Sequence, residues 1–506
     1  MKILNSVLGW AIQKRMHQIE LFMKFPHQVQ EELLEKLVNT AKNTEWGKKY
    51  DYKSINNLDE FKNRIPIQDY DSLREYILRV KHGEQNVLWP SEIKWFAKSS
   101  GTTSDKSKFI PVSKEALEDC HYKGGKDMLA LYYKQYPESM LYSGKALVLG
   151  GSSEVNQFSK DSYYGDLSSI IIKNLPYWAE YVRIPSKETA LLPKWEEKIE
   201  KVARESMHED VTNITGVPTW LILLMKRILE ISGKSNMLEV WPNMELYIHG
   251  GVSFKPYQTT FQNFFPSDKV NYLETYNASE GFFGIQDRFE NNPEKEMLLM
   301  LDYGIYYEFM PMDEYGKENP KTLTLHDVKI GENYAIIIST NGGLWRYMIG
   351  DTVKFTSLDP FRIIVSGRTK YFINAFGEEV IADNTDKAIA HACEKTNAIV
   401  KEYSVAPIYL NNKEKGAHEW VIEFDKQPEN IEFFSSSLDT YLKAINSDYE
   451  AKRYQDLALT EPKIHIAPEG TFYLWLKEKG KLGGQHKVPR LSNNRDVMDS
   501  LLKLIS

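Results

Sequence analysis

Four hydroxyl side chains and a glycine are consecutive near position 100, and residues of these types can bind an anion. The run reads Ser99, Ser100, Gly101, Thr102 and Thr103. Glycine lets backbone amides turn toward an anion, and the hydroxyl groups can donate to phosphate oxygens. Lys108, five residues further on, offers positive charge to a triphosphate. The same run is also typical of a mobile, hydroxyl-rich surface loop, so composition alone leaves both interpretations open.

Other short motifs with known chemistry are incomplete in this chain. Gly233–Ser235 ends like a Walker A loop, but Ile228 stands where that loop needs its first glycine. Asn277–Gly281 resembles a nucleophile elbow without its first glycine. The sequence has neither a GxGxxG nor an HExxH stretch, so nicotinamide chemistry and a structural transition-metal site have no support.

Composition and charge argue against several classes of protein. The 506 residues include 63 Lys and Arg against 70 Asp and Glu, and this net charge of −7 argues against an obligate nucleic-acid binder. Hydrophobic residues make up 42% and charged residues 26%, as in ordinary globular proteins. No stretch approaches the ~18 apolar residues of a transmembrane helix, so we expect no integral membrane contact.

The start of the chain and its cysteines favour a cytoplasmic location. Residues 1–10 read as an amphipathic helix, because no small-residue cleavage site follows them as in a signal peptide. The two cysteines, Cys120 and Cys393, are too few for a disulfide framework and form no CxxC motif. Both observations suit a reducing compartment.

Hydrophobic periodicity predicts helices that alternate with short buried strands. Helices are predicted at 26–44, Ser113–Tyr133, Pro193–Glu205 and Thr219–Ile231. Strands are predicted at the glycine-bounded or strongly apolar runs Ala146–Leu149, Leu246–Ile248 and Ala335–Ile338. This alternation indicates an α/β fold.

The pattern changes near residue 370, where we place a domain boundary. Beyond it, the apolar runs Glu419–Phe424, Lys463–Ile466 and Thr471–Leu476 alternate with helical stretches, as in a small α+β domain. A length of 506 residues suits two to four domains. We therefore predict an N-terminal domain over 1–370 and a C-terminal domain over 371–506.

The run Ser99–Thr103 is similar to the phosphate loop of the acyl-adenylate-forming superfamily, which includes acyl-CoA synthetases, luciferase and peptide-synthetase adenylation domains. That loop usually continues Gly-x-Pro-Lys-Gly, whereas this chain continues with Ser104–Ser107 and places its lysine at 108. The departure resembles a narrower branch, the Gretchen Hagen family of auxin-responsive acyl-acid amido synthetases. The resemblance implies a large N-terminal adenylate-forming domain of mixed sheets covered by helices, with a smaller, mobile α+β C-terminal domain.

A second stretch, Tyr276–Gly281, resembles the nucleotide motif of that family. The resemblance implies that Tyr276 stacks on adenine, since a ring face suits a flat base, and that Asn277 and Ser279 contact the nucleotide. It also implies that Glu280 holds Mg²⁺, which prefers carboxylate and phosphate oxygens. Upstream, Gly250 and Gly251 resemble the loop that closes on the adenine edge. Taken alone, Tyr276–Gly281 is also typical of a turn at the end of a strand, with a solvated glutamate.

Two further resemblances concern the ribose and the hinge between domains. Trp345–Asp351 resembles a motif usually written Tyr-Arg-x-Gly-Asp, which implies that Asp351 accepts both ribose hydroxyl protons. Ser366–Val380 resembles the inter-domain hinge, and implies that Arg368 contacts the ribose or the α-phosphate. This chain has Tyr371 and Asn374 where the wider superfamily has Asp and Lys. An aspartate in an ordinary turn is the alternative interpretation of Asp351.

Near the C-terminus, Gly484–Arg490 is similar to the family sequence Gln-Tyr-Lys-x-Pro-Arg. The resemblance makes Lys487 the candidate catalytic lysine, which would bridge the attacking carboxylate and the α-phosphate. A solvated basic loop is the alternative. Phe25–Gln30 and Thr44–Tyr50 also look like the opening of the family, so the likeness runs in order over nearly the whole chain.

The implied activity is the ATP-dependent joining of a carboxylic acid to an amine, with Mg²⁺ as the metal. Acyl-AMP and pyrophosphate form first, and the acyl group then passes to an amino acid or another amine. Thr215, Val217 and Pro218 resemble a segment near the acyl site, although ordinary core packing explains them equally. Transfer to a thiol such as coenzyme A, and a non-catalytic nucleotide-binding role, remain alternatives. We expect a monomer or a weak homo-oligomer that does not bind nucleic acid.

Overall fold

The computed structural model describes residues 14–100, 107–150, 155–159, 161–175, 180–192, 194–251, 254, 257–289, 296–369, 372–378, 380–410, 415–456, 458–478 and 488–505. The helix predicted at residues 1–10 lies outside these ranges. So do the predicted site residues Gly101, Thr102, Thr103 and Lys487. None of the helices in the described ranges is both long and apolar enough to cross a membrane.

Sixteen helices are labelled in the described chain. They are α1 (14–24), α2 (Pro26–Ala41), α3 (Glu45–Lys49), α4 (Leu58–Arg64), α5 (Tyr70–Lys81), α6 (Tyr122–Gln135), α7 (Leu167–Lys173), α8 (Lys187–Ala190), α9 (Trp195–Ser206), α10 (Pro218–Ser232), α11 (Gln258–Phe264), α12 (Ala382–Thr396), α13 (Ile431–Ile445), α14 (Ser447–Arg453), α15 (Thr471–Glu478) and α16 (Asp496–Ile505). Their ends follow local chemistry. Pro218 opens α10 at a position that needs no N–H, and Gly233 closes it with φ +68°.

The strands of the N-terminal part are β1 (Trp95–Ser100), β2 (Ser107–Val112), β3 (Lys145–Leu149), β4 (Asn156–Ser159), β5 (Ser162–Gly165), β6 (Arg183–Ile184), β7 (Val211–Gly216), β8 (Leu246–Gly250), β9 (Asn271–Ala278), β10 (Gly281–Ile285), β11 (Met297–Leu299), β12 (Ile305–Pro311), β13 (Asn333–Thr340), β14 (Tyr347–Leu358) and β15 (Phe361–Arg368). The later strands are β16 (Phe372–Ile373), β17 (Val380–Ile381), β18 (Ile399–Ile408), β19 (Ala417–Lys426) and β20 (Lys463–Ala467).

A large sheet of described strands runs in the order β12-β13-β14-β15-β11-β10-β9-β8-β7-β3-β6. Its β6-β3-β7-β8-β9 half is parallel and its other half is antiparallel. A second sheet, β2-β1-β5-β4, carries the predicted phosphate loop between β1 and β2. The C-terminal sheet is β18-β19-β20. The predicted α/β class is therefore confirmed, and the three strands predicted at Ala146–Leu149, Leu246–Ile248 and Ala335–Ile338 are confirmed as β3, β8 and β13.

The apolar run Thr471–Leu476, which was expected to alternate with helical stretches, is itself the helix α15, so this expectation is wrong. Phe472 and Trp475, three residues apart, are buried, whereas Tyr473 and Leu474 between them are exposed. That spacing places the two buried rings on one helical face. The Glu423 carboxylate fixes the start of the helix, since it accepts hydrogen bonds from the N–H groups of Gly470 and Phe472. A continuous apolar run does not distinguish a strand from a short helix.

The helix predicted at Ser113–Tyr133 is interrupted by a change of pitch. The Ser113 hydroxyl accepts a hydrogen bond from the N–H of Ala116, and a π-helical turn over Ala116–His121 then leads into α6. Such turns frequently occur at functional sites. Here the turn ends at His121, a buried residue whose role is described below.

A buried ion pair fastens the antiparallel half of the sheet to the N-terminal helices. Arg346 donates from Nε and Nη2 to the two carboxylate oxygens of Glu308 on β12, at 2.8 and 3.0 Å. It also donates to the backbone carbonyls of Lys62 and Ile65. Both charged side chains are almost fully buried. The arginine within the predicted ribose motif, Arg346, thus stabilises the fold.

A second buried pair sits at the junction of the two parts of the chain. Glu378 accepts hydrogen bonds from the N–H groups of Ala375 and Phe376 and is 2.9 Å from Nε2 of His418. The Ala375 carbonyl accepts a hydrogen bond from the hydroxyl of Tyr257, which precedes α11. One hydrophobic cluster runs continuously across residue 370. The boundary between 1–370 and 371–506 stays a prediction, since packing does not break there.

Removing the Arg346 charge should destabilise the protein strongly. We expect Arg346→Met to lower the free energy of unfolding by about 3–5 kcal/mol, because Glu308 then stays buried without its main partner. Replacing both residues by methionine should recover part of this loss. Urea denaturation measures both. Arg204→Met, which removes an exposed helix-surface pair, is the control and should cost under about 1 kcal/mol. A loss of that small size for Arg346→Met would contradict the prediction.

The Glu378 pair should make stability depend on pH. Burial opposes ionisation of Glu378, but His418 and the backbone amides outweigh it and lower the pKa of this carboxyl. A lowered pKa stabilises the fold above the ordinary glutamate pKa of about 4.3, and this contribution disappears as pH falls through the folded-state pKa. Glu378→Gln should therefore be less stable than wild type at pH 7, with a difference that shrinks below about pH 4. Chemical denaturation at several pH values tests this, with the exposed Glu432→Gln as control.

Candidate active site

A cleft of ≈ 740 Å³ opens at the carboxyl ends of the parallel strands β3, β7, β8 and β9. Because parallel strands end at the same edge of a sheet, residues that are far apart in sequence meet there. The ends of the four strands supply Gly150, Thr215, Gly250 and Asn277 to the lining. This is the place where open α/β sheets bind their ligands.

The β1–β2 hairpin brings the predicted phosphate residues to one wall of the cleft. Ser99 and Lys108 stand opposite each other in the antiparallel register. Directly opposed residues point to the same face of a sheet, and both residues line the cleft. Ser100 is the last residue of β1. The hydroxyl and the ammonium group therefore face the same space, as an anion site requires.

The predicted ribose acceptor and the predicted adenine platform are directly bonded. The hydroxyl of Tyr276 on β9 donates a 2.6 Å hydrogen bond to Oδ2 of Asp351 on β14, and both residues are buried. Three strands lie between β9 and β14, so a flat sheet would separate them by about 19 Å. The bond thus requires the sheet to curl strongly here. It also gives Tyr276 a task that the sequence did not suggest, which is to orient Asp351.

The glycines near the cleft are required for two different reasons, which are close packing between strands and a positive φ angle. A side chain at Gly250 would lie 2.4 Å from the carbonyl oxygen of Thr275, so the close approach of β9 to β8 excludes any larger residue. Gly350, immediately before Asp351, has φ +99°, a conformation that favours glycine. Gly251 has φ +80°, and its carbonyl accepts a hydrogen bond from the Asn374 amide. Strand β9 packs against Gly250, and the approach of the Gly250–Gly251 loop to the adenine edge stays a prediction.

The turn after β9 carries the other predicted nucleotide residues. Asn277, Ser279 and Glu280 all line the cleft. The Asn277 side chain is hydrogen-bonded to His121 at the end of the π-helical turn. Burial lowers the pKa of His121 to about 4, so this imidazole is neutral at physiological pH. His121 therefore positions Asn277 without adding charge.

The predicted acyl residues divide into two groups. Thr215 and Val217 line the cleft, whereas Pro218 begins α10 and is not part of the described lining. Trp220, in the first turn of α10, lines the cleft in its place. Beneath this wall, the buried Lys198 donates a hydrogen bond to the carbonyl of Gly150, and burial lowers its pKa to about 8.

Several lining residues were missed by the sequence analysis. They share no motif, and those with polar or aromatic side chains are Lys98, Asp166, Ser168, Trp220, His249, Glu274, Thr275, Asn374, Tyr409, Asp448, Lys452 and Asn493. Because Gly250 and Gly251 were already predicted at the site, the preceding His249 could have been predicted there as well. The last five come from four separate segments beyond residue 370, with Asp448 and Lys452 both on α14, and only the docking of these segments on the N-terminal part reveals them.

Of the predicted residues, the structure brings together Ser99, Lys108, Gly250, Gly251, Tyr276, Asn277, Ser279, Glu280, Asp351, Thr215 and Val217. Asp351 is opposite Arg368 in the β14–β15 register, and Ser366 and Gly367 line the cleft beside it. The described ranges contain no group of three or more His, Cys, Asp or Glu side chains that could hold a metal ion. The role of Glu280 in holding Mg²⁺ stays a prediction.

Comparison with known proteins identifies the family. Residues 15–270 match the GH3 family N-terminal domain, 298–368 the central domain and 383–496 the C-terminal domain. The chain is 21% identical to an indole-3-acetic acid-amido synthetase of Arabidopsis thaliana, over 94% of this chain and 90% of that protein. It is 24% identical to a 4-substituted benzoates-glutamate ligase of the same plant, over 91% of this chain and 92% of that protein.

A solved structure shares the fold. An acyl acid amido synthetase in complex with 2,4-DB superposes with a TM-score of 0.63 at 16% identity, over 98% of this chain and 96% of that one. The resemblance inferred from the motifs is thereby confirmed. With matches to all three domains that together span most of its length, this chain belongs to the GH3 family.

Proposed function

We propose that this protein is an ATP-dependent acyl-acid amido synthetase. It converts a carboxylic acid to an acyl-adenylate and then joins the acyl group to an amine, for which an amino acid is the expected class. The observation that carries the proposal is the meeting of Ser99, Lys108, Tyr276, Glu280 and Asp351 in one cleft. The GH3 relatives whose names describe amido synthetases and an acid–glutamate ligase support the same activity.

The first step overcomes the poor leaving group of a carboxylic acid. The acid's carboxylate oxygen attacks the α-phosphorus of ATP, the bond to pyrophosphate breaks, and acyl-AMP results. Asp351, oriented by Tyr276, would accept hydrogen bonds from the ribose hydroxyls. Ser99 and Lys108 would hold phosphate oxygens, and fixed donors and cations of this kind stabilise the charge that develops in phosphoryl transfer.

The second step transfers the acyl group. The amine nitrogen attacks the acyl carbon, AMP leaves with its bonding electrons, and the nitrogen loses a proton. The C-terminal part already contributes Asn374, Tyr409 and Lys452 to the cleft. We predict that it moves between the two steps and that Lys487 acts in adenylation. Mg²⁺, held by Glu280 and the phosphates, would neutralise the charge of the triphosphate.

The cellular location and the oligomeric state of the enzyme stay predictions. We expect it in the cytoplasm, where ATP is supplied, and as a monomer or weak homo-oligomer. In the described part of the chain, no helix is long and apolar enough to cross a bilayer.

The Tyr276–Asp351 bond should govern nucleotide affinity. We expect Asp351→Asn to raise the KM for ATP at least tenfold in ATP–pyrophosphate exchange, because an amide accepts the ribose hydroxyl protons less well than a carboxylate. Tyr276→Phe keeps the ring and should raise that KM only a few-fold. The exposed Asp425→Asn and Tyr473→Phe are matched controls and should leave KM unchanged. An unchanged KM for Asp351→Asn would remove Asp351 from the nucleotide site.

The overall reaction can be tested in two stages. Purified protein and a panel of carboxylic acids should show acid-dependent exchange of pyrophosphate into ATP. Amino acids, added with the active acid, should then yield an amide and AMP by mass spectrometry. Consumption of coenzyme A with no amide would establish the thiol alternative. Nucleotide binding without exchange for any acid would contradict both enzymatic proposals and favour a binding role.

A further inference from the structure

Among the described residues beyond 370, Lys452 is the cationic side chain that lines the cleft. It lies on α14, and its ammonium nitrogen is 4.1 Å from the centre of the Trp220 ring on α10. A cation over an indole face is attracted by the ring's negative face, so the contact fixes the lysine against the N-terminal part. A side chain at Gly377, which has φ +89°, would come within 3.3 Å of the Lys452 stem. The glycine therefore leaves room for the lysine to reach the cleft.

Two carboxylate residues line the same cleft as Lys452. Asp166, before α7, and Asp448, one turn ahead of Lys452 on α14, both line the cleft. Burial lowers the pKa of Lys452, while Asp448, Asp166 and Glu378 act in the opposite direction. One cation flanked by carboxylates is complementary to a zwitterion, which brings one carboxylate and one ammonium group.

The position of Lys452 separates it from the nucleotide residues. Trp220 follows β7, whereas Tyr276 is on β9, and β8 lies between these strands. Two strand spacings amount to about 10 Å. Lys452 is thus on the side of Thr215 and Val217, where the acyl group is expected, and not on the side of the ribose acceptor Asp351. A small second substrate that approaches the acyl carbon from this side would meet the ammonium group.

We propose that Lys452 binds the α-carboxylate of the amino acid acceptor. Asp166 and Asp448 would face the ammonium group of that amino acid before the acyl group is transferred to it. This inference rests on the proposed amido synthetase function and identifies the residue that makes amino acids better acceptors than simple amines. The proposal concerns binding, so its signature is a change in acceptor KM.

The experiment compares acceptors that differ only in the carboxylate. Each amino acid is paired with the amine that lacks it, such as phenylalanine with 2-phenylethylamine, in full-length wild type, Lys452→Met and Lys452→Arg. We expect wild type to prefer the amino acid, and Lys452→Met to raise the amino acid KM about 10- to 100-fold, the range for a lost charged hydrogen bond. The KM for the amine should change far less. Lys452→Arg should restore most of the preference, and the exposed Lys426→Met is the charge-matched control.

The outcomes separate this inference from the function on which it rests. No exchange and no amide in wild type would overturn the proposed function. Amide formation by wild type with equal use of both acceptors, or an unchanged amino acid KM in Lys452→Met, would overturn only the role of Lys452. A raised KM for the carboxylic acid in the exchange reaction would also overturn it, because the charge would then serve the acyl substrate. Loss of exchange in Lys452→Met with retention in Lys452→Arg would assign the charge to adenylation and reject the proposal.

Discussion

The cleft depends on one constraint, which is that β3, β7, β8 and β9 run parallel and end at the same edge of the sheet. Each strand is followed by a turn that must leave the sheet, and these turns place small and polar residues around a common space. Gly250 shows how tightly the strands meet, because a single added carbon there would collide with Thr275 of the next strand. The positions of Thr215 and Asn277 follow from this geometry.

Curvature of the sheet brings a residue of its antiparallel half to the cleft that the parallel strands form. Asp351 belongs to the antiparallel half of the sheet, and its bond to Tyr276 closes a gap that a flat sheet would leave open. The neighbouring Arg346 does not join the site, since Glu308 and two backbone carbonyls occupy its donors. One short motif thus supplies Arg346 to a buried ion pair and Asp351 to the cleft, where we propose that it binds the ribose.

The sequence predicted site residues correctly where a motif lies at the end of a strand. It did not predict the secondary structure or the site residues that depend on packing between distant segments. Ser99, Tyr276 and Asp351 stand in ordered motifs, so their resemblance to a known family located them without coordinates. Thr471–Leu476 carries an apolar pattern that suits either a strand or a helix, and the Glu423 carboxylate at its start decided for the helix. Lys452 stands in no motif, and only its contact with Trp220 connects it to the cleft.

By itself, the sequence determined the α/β class, the family and the order of the nucleotide motifs, because these are recorded in local patterns and in residue types at fixed spacing. The tertiary structure alone decided that Tyr276 donates a hydrogen bond to Asp351, that His121 is hydrogen-bonded to Asn277, and that the C-terminal part brings Lys452 to Trp220 in the cleft. Each of these facts joins residues that are distant in the chain. Their contact depends on strand order, sheet curvature and domain docking, which arise from the packing of the whole chain and leave no signature in any one segment.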